Sequence, residues 1–227
     1  TGTWCAYNDW GGSNHYQGLS GPRGDDFAAH VSLLRPWARG FVRWPEDAPR
    51  IPYASPLLSK PRYPHMDYAR AKGISKKYAS SGWAAFERPF ALWCEAQGIA
   101  LDYLTQHDLH RDPAALDGYP RALIVGHDEY WTWEMRDHLD GWLDRGGQLA
   151  RFGGNFFWQT RLSPDLLTQT CFKSRAEAED PNPARLTSYW DHPQVARPAV
   201  ATMGLTGSAG VYAGWSRCAA HGTGGFL

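Results

Sequence analysis

The chain has 227 residues, and its Lys+Arg and Asp+Glu counts are both 23, so a formal net charge of zero leaves no global field to hold a polyanion or an acidic lipid surface. Hydrophobic residues make up 43% and charged ones 20%, which excludes a disordered chain, and no apolar run approaches the roughly 20 residues of a membrane helix. Nucleic acid and membrane are not expected partners, and the length allows a hydrophobic core without staples.

The 12 Trp, 11 Tyr, 24 Gly and 16 Pro imply aromatic anchors joined by long, shaped loops. Cys5, Cys94, Cys171 and Cys218 stand apart with no C-x-x-C pair, so neither a zinc module nor a redox motif is expected, and buried free thiols are. The chain opens on Thr1-Gly2-Thr3-Trp4 and stops at Gly224-Gly225-Phe226-Leu227, and we expect a piece of a longer polypeptide. No leader identifies a compartment, and the cytoplasm is the default expectation.

Taken in order, residues 3–7 read as a strand running into the Gly-rich Asn8-Asp9-Trp10-Gly11-Gly12, and residues 30–34 as a second short strand. The stretch from Pro36 to about residue 82 holds six prolines between Pro45 and Pro64, which oppose helix in the Pro-rich part and mark residues 45–64 as a lid over the pocket mouth. Trp83, Phe86, Phe90, Leu92 and Trp93 then fall near helical spacing, with a kink or restart at Pro89 and a C-terminal stop at Gly98. Ile99–Leu104 reads as a strand, Pro113–Leu116 as a helical turn and Arg121–Val125 as a buried strand. Thr132 caps a helix with the stripe Met135, Leu139, Trp142 and Leu143, ended by Arg145-Gly146-Gly147, and Gln148–Phe152 is the next strand. This order predicts a parallel α/β unit over 83–160 with strands and a lid before it, and a β-rich or irregular extension over 161–227, all in one domain.

Ligands of an open parallel sheet bind beyond the C-terminal ends of its strands. Three loops at that edge are polar: Gln106-His107-Asp108-Leu109-His110, Gly126-His127-Asp128-Glu129-Tyr130-Trp131 and Gly153-Gly154-Asn155. A carboxylate directly after an apolar strand is desolvated and needs a cation, a donor or a proton, and a metal ion would serve. The plainer alternative is that Asp128 or Glu129 caps the following helix. The trio His127, Asp128 and Glu129 together with Asn155 exceeds what capping requires, so we expect a functional edge. His107, Asp108 and His110 look like a ligand cluster, although the turn near Pro113 gives Asp108 a shaping role instead. The turn after the second strand holds neither Cys nor Ser, which argues against an acyl-enzyme there, and no phosphate-binding Gly-rich motif is present.

Tyr7-Asn8 with Trp10-Gly11-Gly12, Val31-Ser32 with Arg35-Pro36, Asp102-Tyr103 with Asp108-Leu109-His110, Gly126 to Trp131 with Glu134-Met135-Arg136, and Arg145-Gly146-Gly147 with Gly153-Gly154-Asn155 occur in one order over about residues 3–162. Together they resemble the C-terminal catalytic domain of the N,N-dimethylformamidase large (beta) subunit family. The resemblance implies a class I glutamine amidotransferase-like (flavodoxin-like) α/β core with long loops. It also implies a mononuclear ferric iron held by two tyrosinates and one glutamate, which hydrolyses a small formamide. By residue match, Glu129 and Tyr7 are ligands, and His127 and Asn155 orient water and substrate. Where the second tyrosinate is expected, after Arg35-Pro36, this chain has Trp37, which cannot ligate iron, so Tyr53 is the substitute candidate.

The function expected is an iron-dependent hydrolysis of a small linear amide by metal-activated water, with His127, Glu129 and Asn155 as catalytic residues. Other domains of the same chain or a small subunit are expected partners, in an oligomer. The alternative is a non-catalytic α/β scaffold that binds a carbohydrate or a partner chain through its aromatics.

Overall fold

The computed structural model describes residues 14–15, 27–34, 40–49, 64–75, 77–78, 82–153, 156–204 and 206. The expected strand 3–7 and the central part of the Pro-rich stretch lie outside these residues. The described elements are β1 (His30–Ser32), α1 (Pro64–Lys72), α2 (Glu87–Ala96), α3 (Gln106–Arg111), β2 (Arg121–Val125), β3 (Tyr130–Thr132), α4 (Trp133–Asp144), β4 (Gln148–Phe152), β5 (Trp158–Leu162), β6 (Thr168–Thr170), two short 3₁₀ turns that include Lys173–Arg175, and the single-turn helices α5 (Ala176–Glu179) and α6 (Val200–Met203).

Two sheets carry the α/β architecture. β2 and β4 pair in parallel, Arg121 opposite Gln148 through Val125 opposite Phe152. A second, mixed sheet has the order β1-β6-β5-β3, in which β3 and β5 are parallel and the other neighbours antiparallel. The two parallel pairs are successive parts of the same two chain segments. The segment leaving β2 becomes β3 after four residues, and the one leaving β4 becomes β5 after five, with Tyr130 opposite Trp158.

The bend between the pairs is made by glycine. Gly126 has φ of +87°, a conformation a side chain resists, and a Cβ there would lie 2.7 Å from Phe86 Cβ. Its amide still donates to Phe152 O at 2.9 Å, so the ladder reaches the bend before the strands turn. A Cβ on Gly153 would lie 2.0 Å from Gly126 O, so both strand exits depend on bare backbone.

α4 forms as expected. Thr132 Oγ1 accepts from the Met135 amide at 3.2 Å, and Met135, Leu139 and Trp142 are buried on one stripe. Gly146 with φ of +95° ends the helix, Gly147 donating to Trp142 O. The stripe joins a core with Trp131, Phe156, Phe172, Leu186 and Trp190, where each fully buried large apolar side chain contributes about 1.5–3 kcal/mol. A second cluster joins Phe41, Ala69, Ile74 and Tyr78 to Tyr130 and Cys171. The flanks of the Pro-rich stretch therefore pack against the residue that follows Glu129.

Four expectations are corrected. Ile99–Leu104 is not a strand: it runs without regular structure between two helix ends, with Tyr103 58% and Leu104 46% exposed. The segment read as the polar loop 106–110 is helix α3, started by Thr105. Residues 64–72 are helix α1, beginning at the last proline of the Pro-rich stretch, where a missing N–H costs nothing. β2 is only half-buried, with Leu123 39% exposed. The helix near Pro89 does restart, at Glu87, so that Pro89 falls in its first turn, and Gly98 with φ of +71° stops it. Among the described residues that follow β5, the one strand is β6, followed by two 3₁₀ turns and two single-turn helices.

Candidate functional site

Glu129 lies where the β2/β4 pair ends and the β3/β5 pair begins. Its carbonyl accepts from the Phe157 and Trp158 amides at 3.2 and 2.9 Å, the first bonds of the second ladder. Its side chain is 5% exposed by residue, and buried carboxylates survive only where charges or donors meet them. Trp158 Nε1 donates to Oε1 at 3.1 Å, and His127 Nε2 lies 3.4 Å from Oε2. Of the expected edge, the structure brings the His127 and Glu129 side chains together.

Asp128 has a different task. Gln106 Nε2 donates to its Oδ1 at 3.0 Å and to Tyr130 O at 2.9 Å, while Arg151 Nη1 lies 3.4 Å from Oδ2. The donor and cation that a desolvated carboxylate requires come from α3 and β4, so Asp128 braces the loop that carries its neighbours. Neither Asp128 nor Glu129 caps α4, because Thr132 does.

Three further residues, Tyr130, Trp158 and Lys173, form a buried group around this position. Tyr130 is 1% exposed, and His15 stacks on its ring at 5.8 Å. Trp158 opens β5. Lys173, 8% exposed, holds its Nζ 4.9 Å from the Trp158 ring centroid and 5.1 Å from that of Tyr130. Burial pulls the Lys173 ammonium below its usual pKa, and the charge of Glu129 opposes that pull. Tyr130 belongs to the Gly126–Trp131 motif, but Trp158 lies in an aromatic run that looks like core and Lys173 is one lysine in an irregular tail, so local pattern carried no signal for those two.

Cys171 is fully buried beside this group, and burial pushes its thiol up to about 12. Cys171 therefore stays protonated at neutral pH. Cys94 is likewise free and buried.

In the polar cluster at 107–110, Asp108 and His110 make bonds that shape the fold. Asp108 accepts from the Thr105 amide at 2.8 Å and hydroxyl at 2.7 Å while its own amide donates to Thr105 Oγ1, which caps α3 from both sides and holds its carboxyl below the usual range. His110 Nδ1 bonds Thr132 Oγ1 at 2.8 Å, and burial lowers its pKa.

Tyr7, Tyr53, Asn155 and Trp37 lie outside the described residues, so the expected placement of Asn155 beside Glu129 and the docking of the Pro-rich lid lie there too. Among the described residues no group of three or more His, Cys, Asp or Glu could hold a metal. What they offer is one buried carboxylate with an imidazole beside it, a hard oxygen donor suited to one position of a ferric set and not a closed set by itself. No described helix is long and apolar enough to cross a membrane.

A family model described as N,N-dimethylformamidase beta subunit-like, C-terminal, matches residues 1–221. No curated protein matches the chain.

Proposed function

The chain belongs to the N,N-dimethylformamidase beta subunit-like, C-terminal, family, and on that premise we propose that it hydrolyses a small linear amide such as a formamide at the Glu129 pocket. The observation that carries this reading is the pairing of a buried carboxylate with an imidazole, Glu129 Oε2 and His127 Nε2 at 3.4 Å, where two parallel strand pairs meet. We further read the β2/β4 pair as part of a class I glutamine amidotransferase-like, flavodoxin-like sheet, whose ligands belong at this same end of the strands.

In this mechanism His127, its Nε2 turned to Glu129, takes a proton from water at its other ring nitrogen, Nδ1, and returns it to the leaving amine. Glu129 fixes the imidazole, as a carboxylate orients its histidine in other hydrolytic sites, and Trp158 holds the carboxylate in turn. Asn155 is the proposed donor to the developing oxyanion. Tyr7, Tyr53 and Glu129 are the proposed holders of a mononuclear ferric ion. When bound, such an ion polarises the substrate carbonyl and acidifies water. The small amide is the proposed partner; further domains of a longer chain or a small subunit, and an oligomeric assembly, are proposed beside it.

Glu129→Gln tests the reading. Formate and amine release from formamides should fall by about 10³-fold or more, an effect of the size that follows loss of a residue central to the transition state. The melting curve should remain cooperative. If Tyr7 is a ligand, the purified protein is coloured by phenolate-to-iron charge transfer, and Tyr7→Phe bleaches it. A chain that releases no formate from any small amide, and in which Glu129→Gln changes nothing but stability, supports the scaffold alternative instead.

A further inference from the structure

We propose that the outer face of α2, continued onto Phe152 of β4, is a two-fold interface at which a second copy of this chain docks, with the two α2 helices antiparallel and Arg88 of each facing Glu95 of the other. This names the face for the oligomeric assembly proposed above and uses nothing of the Glu129 chemistry.

The sheet gives the first support. Ala122, Ile124 and Leu149 pack on the large core, and side chains alternate along a strand, so Leu123 and Phe152 stand on the opposite face of the β2/β4 pair. Parallel strands are ordinarily covered on both faces. The described cover on this second face comes from α2, whose Phe90 ring lies 5.9 Å from that of Phe152, and it leaves Phe152 55% exposed.

The helix carries the patch outward. At 3.6 residues per turn, the buried Ala91 and Cys94 face inward while Pro89, Leu92, Trp93 and Ala96 lie on the exposed side. Leu92 is 44% and Trp93 47% exposed, and the Trp93 ring lies 5.9 Å from that of Phe90, which joins it to Phe152. Single exposed apolar residues are ordinary, whereas a patch continuous across two elements marks a contact surface.

Charge selects the occupant. Arg88 and Glu95 flank the apolar face, both are exposed, and neither has a charged partner among the described residues. They lie about two helical turns apart, with Leu92 between them. An antiparallel copy related by a two-fold axis beside Leu92 therefore sets each Arg88 opposite the partner's Glu95. The face is complementary to itself, as an isologous dimer requires, and the ion pair forms twice. A net charge of zero leaves no long-range repulsion between the copies.

Sedimentation equilibrium of the full chain, from about 1 μM to about 1 mM, tests the proposal. Wild type should approach twice the mass of one chain within this range. Arg88→Glu and Glu95→Arg each set like charges opposite one another at both places, so each should weaken association about tenfold or more, and Leu92→Asp should abolish it. The double variant Arg88→Glu/Glu95→Arg re-forms both pairs and should associate like wild type. A mixture of the two single variants should also dimerise, because each carries the charge that the other needs. Melting curves should stay close to that of wild type, since all three side chains are exposed. A chain that stays monomeric throughout, or a dimer that no single change weakens, overturns the proposal, and so does failure of both the double variant and the mixture to restore association. Formate release is measured beside it: a dimer that hydrolyses no amide ends the hydrolase reading and leaves the interface, and a monomer that hydrolyses one ends the interface and leaves the hydrolase reading.

Discussion

Glu129 and Trp158 are joined twice: the Trp158 amide donates to Glu129 O at 2.9 Å, and the indole Nε1 of the same residue donates to Glu129 Oε1 at 3.1 Å. The strand ladder and the site are thereby one structure, because the bond that begins the β3/β5 pairing also sets the distance at which the ring can reach the carboxylate. His127 then meets the other oxygen.

Trp158→Phe separates the two bonds, since the backbone donor remains and the ring N–H is lost. A hydrogen bond to a charged group is worth about 1.5–3 kcal/mol, and urea unfolding should show a loss in that range with an unchanged m-value. A loss below about 0.5 kcal/mol would mean that Oε1 finds another donor and that the indole is not what holds it.

Gly153→Ala tests the bend from a position with no side chain in the site. Its new Cβ would meet Gly126 O at 2.0 Å, against backbone that cannot rotate away. Overpacking of this kind costs about 1–3 kcal/mol. Hydrogen exchange should be faster at the Gly126 amide, which donates to Phe152 O, and amide hydrolysis should fall because the 127–129 segment is displaced. Unchanged exchange at Gly126 would show that the strands can part there freely.

Glu87, at the start of α2, has its carboxyl raised from 4.5 to about 7, first by burial and further by the charge of Asp128, while its own backbone amide lowers it. A carboxyl raised in the folded state is protonated there when the unfolded chain has already lost its proton. Its contribution is therefore full below about pH 4.5 and lost as pH rises to about 7. Glu87→Gln should match wild type near pH 4 and exceed it above pH 7, by up to about 3 kcal/mol. Denaturant midpoints across that range measure the gap, and a constant gap at every pH would place the effect outside this titration.

Local chemistry alone determined much of the frame. Arg121–Val125 and Gln148–Phe152 are runs of strand length between turn residues, with apolar side chains at most positions, and Thr132 and Gly146 bracket α4 through bonds made within a few residues of themselves. The Gly126–Trp131 motif likewise marked Glu129 and His127, because polar groups directly after a strand stand at its C-terminal end whatever the strand pairs with. Only tertiary structure decided the rest. Ile99–Leu104 matches a strand template, but a strand exists through a partner, and none pairs with this run among the described residues. Helix α3 has no apolar stripe to reveal it and is held by the reciprocal Thr105–Asp108 cap. Asp128, which local pattern grouped with Glu129, is turned to bracing by Gln106 and Arg151. Trp158 reaches Glu129 through a ladder bond, and a turn held by Thr187 carries Lys173 over the Trp158 and Tyr130 rings, contacts between segments far apart in the chain. A local pattern encodes which face of an element is apolar; it does not encode which distant side chain will stand over a carboxylate, because that is set by how the elements pack.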